Sequence, residues 1–230
     1  MGGDKFASSV EITDEVIKTI DELSPIAPLH NPSALMGIIT AKQLLPNAKQ
    51  VAVFDTAFHQ TMPDYAYRYA VPSAWYRELG VRRYGFHGTS HLYVSKRAAK
   101  ILGKPASECN LITLHIGSGA SATAIRGGVS VDTSLGMTPL SGLTMGTRPG
   151  DLDPGVVLYV MNRLGLTPDQ MQKHLNKDSG LMGLTECFAD RRDVEQNKES
   201  DDKCRLAIDT EVHNVKKYIG LWRQIIQMHG

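Results

Sequence analysis

Between Leu111 and Ser134 the sequence LITLHIGSGASATAIRGGVSVDTS leaves little room for anything but a sheet. Leu111 to Ile116 and Ala120 to Ile125 are short, apolar or alternating runs, bounded by Gly117-Ser118-Gly119 and Gly127-Gly128. That pattern predicts three antiparallel strands joined by tight turns. Glycines 117 and 119 leave no side chain over the backbone, so consecutive N–H groups there could face an anion such as a phosphate. Hairpins also use glycine at positive φ, so this turn decides nothing alone. Its neighbours add weight: GFHGTSH lies upstream and MGTRPGDLDPG downstream, both rich in glycine, histidine, arginine and aspartate.

The flanking sequence supplies helices. Thr13 is placed to cap a helix with Asp14 and Glu15 in its first turn and Val16, Ile17, Ile20 and Leu23 on one face, ending before Pro25. Three prolines make residues 25–32 a rigid loop displaying His30. An amphipathic helix is expected from Ala34 to Leu45, then a buried strand over Gln50 to Asp55 with the acidic residue at its C-terminal end, where open α/β sheets bind ligands. The tyrosines between Asp64 and Tyr76 read as packing surface. Further helices are expected over His91 to Leu102, closed by Gly103; Pro154 to Leu164, closed by Gly165; and from Pro168, capped by Thr167. A long helix capped by Ser200 carries Cys204, Ile208, Val212, Val215, Ile219, Trp222 and Ile226 as one apolar stripe, expected to lie against a sheet.

Composition narrows the function classes. The 230 residues carry a net charge of +1, and basic residues are scattered apart from short pairs, which argues against nucleic acid as a partner. Cys109, Cys187 and Cys204 fit neither a metal motif nor a disulfide framework, pointing to a reducing cytoplasm. No apolar run has the length to span a bilayer, and the N-terminus lacks signal-peptide order, so neither membrane nor export is expected. His30, Asp55, His87, Arg148, Asp151 and Asp153 sit beside glycine or proline in loops or at strand ends, where functional side chains concentrate. Taken from the residues alone, His59, His91, His115, His174, His213 and His229 read as ordinary structural histidines. There is no GxSxG elbow for a hydrolase and no HExxH or paired cysteines for zinc. Phosphoryl transfer fits better, because it needs donors and cations around three phosphoryl oxygens plus an orienting carboxylate.

Four blocks carry a resemblance: FDTAFHQTMP at Phe54 to Pro63, RRYGFHGTSH at Arg82 to His91, VDTSLGMTPLSGLTMGTRPGDLDP at Val131 to Pro154, and SGLMGLTE at Ser179 to Glu186. The chain resembles the acetate kinase family, from its first residues to about Gly220. The resemblance implies an α/β, ribonuclease H-like, actin-like ATPase fold with two domains and an active-site cleft between them. It places residues 1–57 in a partial first, acyl-side domain and 58–230 in a partial second, nucleotide-binding domain. It further implies reversible transfer from ATP to acetate, giving ADP and acetyl phosphate, by a direct in-line path with Mg2+, in a cytoplasmic homodimer. The alternatives are a propionate kinase and a non-catalytic remnant.

Position by position, the resemblance makes Asp55 the catalytic aspartate, with His87 and Arg148 stabilising the transferring phosphoryl group. His30 lines the site, and Leu29, Phe86 and Pro139 form an apolar pocket for the acyl methyl. His115, Ile116, Gly117, Ser118 and Gly119 correspond to a nucleotide-phosphate loop, and Asp190, Arg191 and Arg192 to the adenosine pocket. Ser118 stands where the family usually has asparagine, shortening the donor's reach, and Pro149 replaces a usual serine, removing a backbone donor. Family members are longer, and their magnesium ligands, first phosphate loop and final adenosine loop are expected outside this sequence.

Overall fold

In a computed structural model of the protein, which describes residues 1–28 and 30–227, the chain divides into two compact units. One comprises residues 1–111 with 125–133, and the other residues 112–124 with 134–230.

The first unit begins with β1 (Val10–Glu11) and α1 (Asp14–Glu22), whose Thr13 cap accepts the Val16 N–H. It continues through α2 (Asn31–Leu44), β2 (Val51–Ala52), α3 (Asp64–Tyr67), α4 (Ser73–Leu79) and α5 (Gly88–Leu102). Ile20, Leu35 and Phe54 form its core, with Phe6 stacked on Phe54 at 4.2 Å.

Three expectations are corrected here. The helix after the proline segment starts at Asn31, because Pro32 serves at its first turn, where a missing N–H costs nothing. It is not amphipathic: Leu35 is buried, but Met36, Ile39 and Leu44 face solvent. The strand expected over residues 50–55 is two residues long and not buried. Val51 and Val53 are exposed, and its pairing is with Val10 and Glu11 alone among the described residues. An apolar run reads as buried only if something covers it.

The predicted hairpins are present: β3 (Leu111–Ile116), β4 (Ala120–Arg126) and β5 (Val129–Thr133) form a sheet in that order. Gly127 and Gly128 take positive φ in the second turn, whereas Gly117 and Gly119 do not in the first. The Gly-Ser-Gly turn therefore does not owe its glycines to backbone handedness.

The second unit continues with α6 (Pro154–Leu164), α7 (Pro168–Lys177), α8 (Gly180–Thr185), α9 (Arg191–Asn197) and α10 (Asp202–Gln227). α6 has the expected bounds and α7 the expected start and Thr167 cap, while Asp153, expected as a candidate functional side chain, caps α6 instead. At the start of α10 it is Asp201, not Ser200, whose carboxylate accepts a first-turn N–H, that of Lys203 at 2.8 Å. Over its first turns the stripe on α10 is covered by helices, and further along Trp222 and Ile226 are also buried. Cys204, Ala207 and Ile208 pack with Leu181 of α8 and Val194 of α9, Val212 sits at the edge of that cluster, and Ile219 stays exposed. All three cysteines are free thiols. No helix among the described residues is long and apolar enough to cross a membrane.

Candidate functional site

In the first unit the structure brings Asp55 and His87 into contact. The His87 N–H donates to Asp55 Oδ2 at 2.8 Å, and the Gly88 N–H donates to the Asp55 backbone carbonyl at 2.8 Å. This pairing forms where α5 begins: His87 is its N-cap, in the left-handed region at φ 58°, and Gly88 is its first residue. A side chain at Gly88 would collide with the Asp55 carbonyl, so glycine is what lets the two segments approach. His30 lies beside the same loop, its ring 6.2 Å from the buried ring of Phe86. Leu29, the third pocket residue expected on this side, lies outside the described residues.

In the second unit Arg148 donates from Nη1 to the Pro139 carbonyl at 2.8 Å, so those two expected residues also meet. Partial burial lowers the Arg148 pKa from its ordinary value, yet a guanidinium starts high enough to stay charged. Its loop is closed on itself by the Met145 N–H to the Arg148 carbonyl at 3.1 Å, and is laced to the start of α8 by the Leu181 N–H to the Met145 carbonyl at 2.9 Å and the Met182 N–H to the Gly146 carbonyl at 2.9 Å.

Beside this lacing lies a cavity of about 540 Å³, lined by Ile116, Gly117, Ser118, Met145, Gly146, Thr147, Leu181, Ala189, Asp190, Arg191, Arg192 and Glu211. Its size is in the range of cofactor-sized sites. Both segments expected to hold a nucleotide meet in it, although some 70 residues separate them in sequence. His115 and Gly119 are not among its walls. The Gly117 N–H is spent on the Gly119 carbonyl at 3.1 Å, so the turn does not offer all its amides outward as expected. Asp190 caps α9 through the Arg192 N–H and also takes the Arg192 guanidinium, Nη2 to Oδ2 at 2.6 Å. Those contacts hold its carboxyl at about 2.

Glu211 was not legible as a site residue. Its signal is position: it falls seven residues after Cys204, on the buried stripe of α10, where a charge demands a partner. Arg191 is that partner, Nε to Oε2 at 2.8 Å, and its Nη1 also reaches Glu195 at 3.1 Å. Met145, Gly146, Thr147 and Leu181 are further walls that sequence reasoning does not single out, although they lie within 131–154 and 179–186, two of the blocks that carry the resemblance.

No group of three or more His, Cys, Asp or Glu among the described residues is gathered as a metal site would require. These residues do not by themselves build a cage for magnesium.

Comparison with known proteins places the chain in a family. The Acetokinase family profile matches residues 1–229. The acetate kinase of Trichlorobacter lovleyi is 54% identical over 226 residues, covering 98% of this chain and 54% of the relative. Among solved structures, the acetate kinase of Porphyromonas gingivalis superposes with a TM-score of 0.93 at 48% identity, covering 98% of this chain and 57% of that one. A propionate kinase from Francisella tularensis gives a TM-score of 0.95 at 43% identity, covering 99% and 59%. The chain spans about half the length of the curated relatives it matches. With the matched profile running over nearly every residue and the fold shared with solved members, the chain belongs to the acetokinase family and has the actin-like fold of acetate kinase.

Proposed function

We propose that this chain carries residues for ATP:acetate phosphotransfer, giving acetyl phosphate and ADP. The observation that carries the reading is the cavity that joins Ile116, Gly117 and Ser118 to Asp190, Arg191 and Arg192. The glycine turn meets the nucleotide phosphates, and the Asp190–Arg192 segment meets the adenosine. The nucleotide enters as its magnesium complex, because magnesium is commonly held by phosphates and water with few protein groups. His115 and Gly119 keep a supporting role in the turn.

In the transfer, an acetate oxygen attacks the γ-phosphorus in line with the departing ADP oxygen. The charge of a loose phosphoryl group is spread over its equatorial oxygens, so cations and donors placed there stabilise it more than the ground state. Arg148 and His87 supply that stabilisation, and Asp55 holds the His87 backbone while orienting the nucleophile. His30, Leu29, Phe86 and Pro139 border the acyl group. We assign residues 1–57 to a first, acyl-side domain and residues 58–230, which include Phe86 and Pro139, to a second, nucleotide-binding domain, in a cytoplasmic enzyme that works as a homodimer.

The test is a chimera in which the matched 226 residues replace their counterparts in the Trichlorobacter lovleyi enzyme. Trapping acetyl phosphate as its hydroxamate should show synthesis that needs both ATP and acetate. A folded chimera that binds nucleotide but makes no acyl phosphate would overturn the reading.

A further inference from the structure

The peptide unit joining Phe86 to His87 is gripped at both ends. Its carbonyl oxygen lies 2.9 Å from His59 Nε2, and its N–H donates to Asp55 Oδ2 at 2.8 Å. His59 is fully buried, and its other ring nitrogen, Nδ1, lies 2.9 Å from Ser130 Oγ. A carbonyl oxygen only accepts, so Nε2 carries the proton and Nδ1 accepts from the Ser130 hydroxyl. Geometry thus selects one neutral tautomer, and burial pushes the imidazole down to about 4, well clear of neutral pH. Packing holds the ring as well: the Phe58 and His91 rings stand 5.7 and 5.9 Å away, and Gly85 approaches so closely that an added Cβ would lie 2.7 Å from the His59 ring.

The grip has a purpose in the backbone. His87 and Glu186 are the two non-glycine residues with positive φ among those described, and His87 is the one in contact with Asp55. A β-carbon in the left-handed region is crowded by its own carbonyl, and rotation of the preceding peptide is the natural way to relieve it. That rotation would break both the His59 and the Asp55 bonds, while the Gly88 N–H bond to the Asp55 carbonyl fixes the following peptide.

We propose that His59 is a positioning residue: as the Nε2–H tautomer it locks the Phe86–His87 peptide, so that His87 keeps its left-handed backbone and presents its imidazole in one direction. The locking stands on the hydrogen bonds; that the presented imidazole meets a phosphoryl group rests on the function proposed above. The clamp extends to Phe86 as well, since the gripped carbonyl is its own.

The experiment uses the 230-residue chain. In nitrogen-15 NMR at neutral pH, His59 should show a protonated Nε2 and an unprotonated Nδ1; the reverse tautomer or an imidazolium overturns the proposal. His59→Gln keeps an amide donor for Phe86 and an oxygen for Ser130, whereas His59→Phe keeps only bulk. Amide exchange at His87 should be unchanged in H59Q and faster by about 10-fold or more in H59F, with amides of α6 and α7 unaffected. Equal protection of His87 in both variants overturns the clamp. If H59F fails to fold, the tautomer and H59Q still decide. The same substitutions in the active chimera separate the two readings: H59F should lower kcat by about 10–100-fold with little change in KM, and H59Q should restore it. An inactive parent chimera would refute the function and leave the NMR outcome on the clamp intact.

Discussion

Gly180→Ala tests the packing on which Arg148 depends. Gly180 opens α8 at φ +64°, and a Cβ there would collide with the Met145 carbonyl oxygen while lying 2.6 Å from the Arg148 carbonyl oxygen and 2.9 Å from its nitrogen. All three are backbone atoms and cannot rotate aside. The left-handed conformation alone costs an alanine about 1–2 kcal/mol. Relief requires the 145–148 loop to retreat, losing the Leu181-to-Met145 and Met182-to-Gly146 bonds, each worth about 1 kcal/mol. The total is about 3–4 kcal/mol, a large part of a stability of about 5–15 kcal/mol. In a chain of this size that corresponds to a Tm lower by roughly 6–16 °C in a calorimetric melt. Gly37→Ala is the control, because Gly37 lies within α2 with no atom within 4 Å of its Cβ position. It should gain up to about 1 kcal/mol. A Tm for G180A within 2 °C or so of wild type would refute the loop packing described above.

Acidification should weaken the fold through His59. Its folded pKa of about 4 lies below the ordinary 6.5, so the unfolded chain binds the proton first as pH falls. Stability is full above 6.5, declines between 6.5 and 4, and loses about 3 kcal/mol over that window. Urea melts across pH should show this slope, and H59Q, which cannot titrate, should show a shallower one; parallel slopes would contradict it. Arg148→Ala in the chimera should lower kcat on the order of 10³-fold while KM moves far less, since its charge acts chiefly in the transition state; near-normal turnover would remove Arg148 from that role. Phe86→Ala should shift kcat/KM toward propionate over acetate, by an amount worth about 1–3 kcal/mol for one methylene; an unchanged ratio would take Phe86 out of the acyl pocket.

Where chemistry is local, the sequence was readable. Thr13 and Thr167 cap their helices as their side chains and following residues foretell, and Gly165 closes α6 in the left-handed conformation that glycine favours, whereas Asp153, read as a candidate functional residue, spends its side chain capping α6. The hairpins followed from alternation and turn residues. What failed depends on distant partners. Residues 50–55 have the composition of a buried strand, but burial belongs to whatever packs on it, and Val51 and Val53 lie exposed. The stripe on α10 told of burial without telling that α8 and α9 would cover its first turns. In the site, Asp55 and His87 stood out by their places beside glycine and at a strand end, only their roles came from resemblance, and the structure adds the contact between them. His59 was passed over because a histidine's role lies in its two nitrogens' partners, which neither spacing nor composition encodes. Glu211 was visible only as an acid on an apolar face.

The central claim is that the cavity around Gly117 and Asp190 holds the nucleotide. Titrating magnesium-ADP into the nitrogen-15-labelled 230-residue chain and following backbone amides tests it directly. The account predicts saturable shifts at Gly117, Ser118, Gly146 and residues 189–192, weakened when Arg192→Ala removes the guanidinium paired with Asp190. Saturable shifts confined to residues outside the cavity wall, or no shifts at millimolar nucleotide in a folded chain, would contradict it.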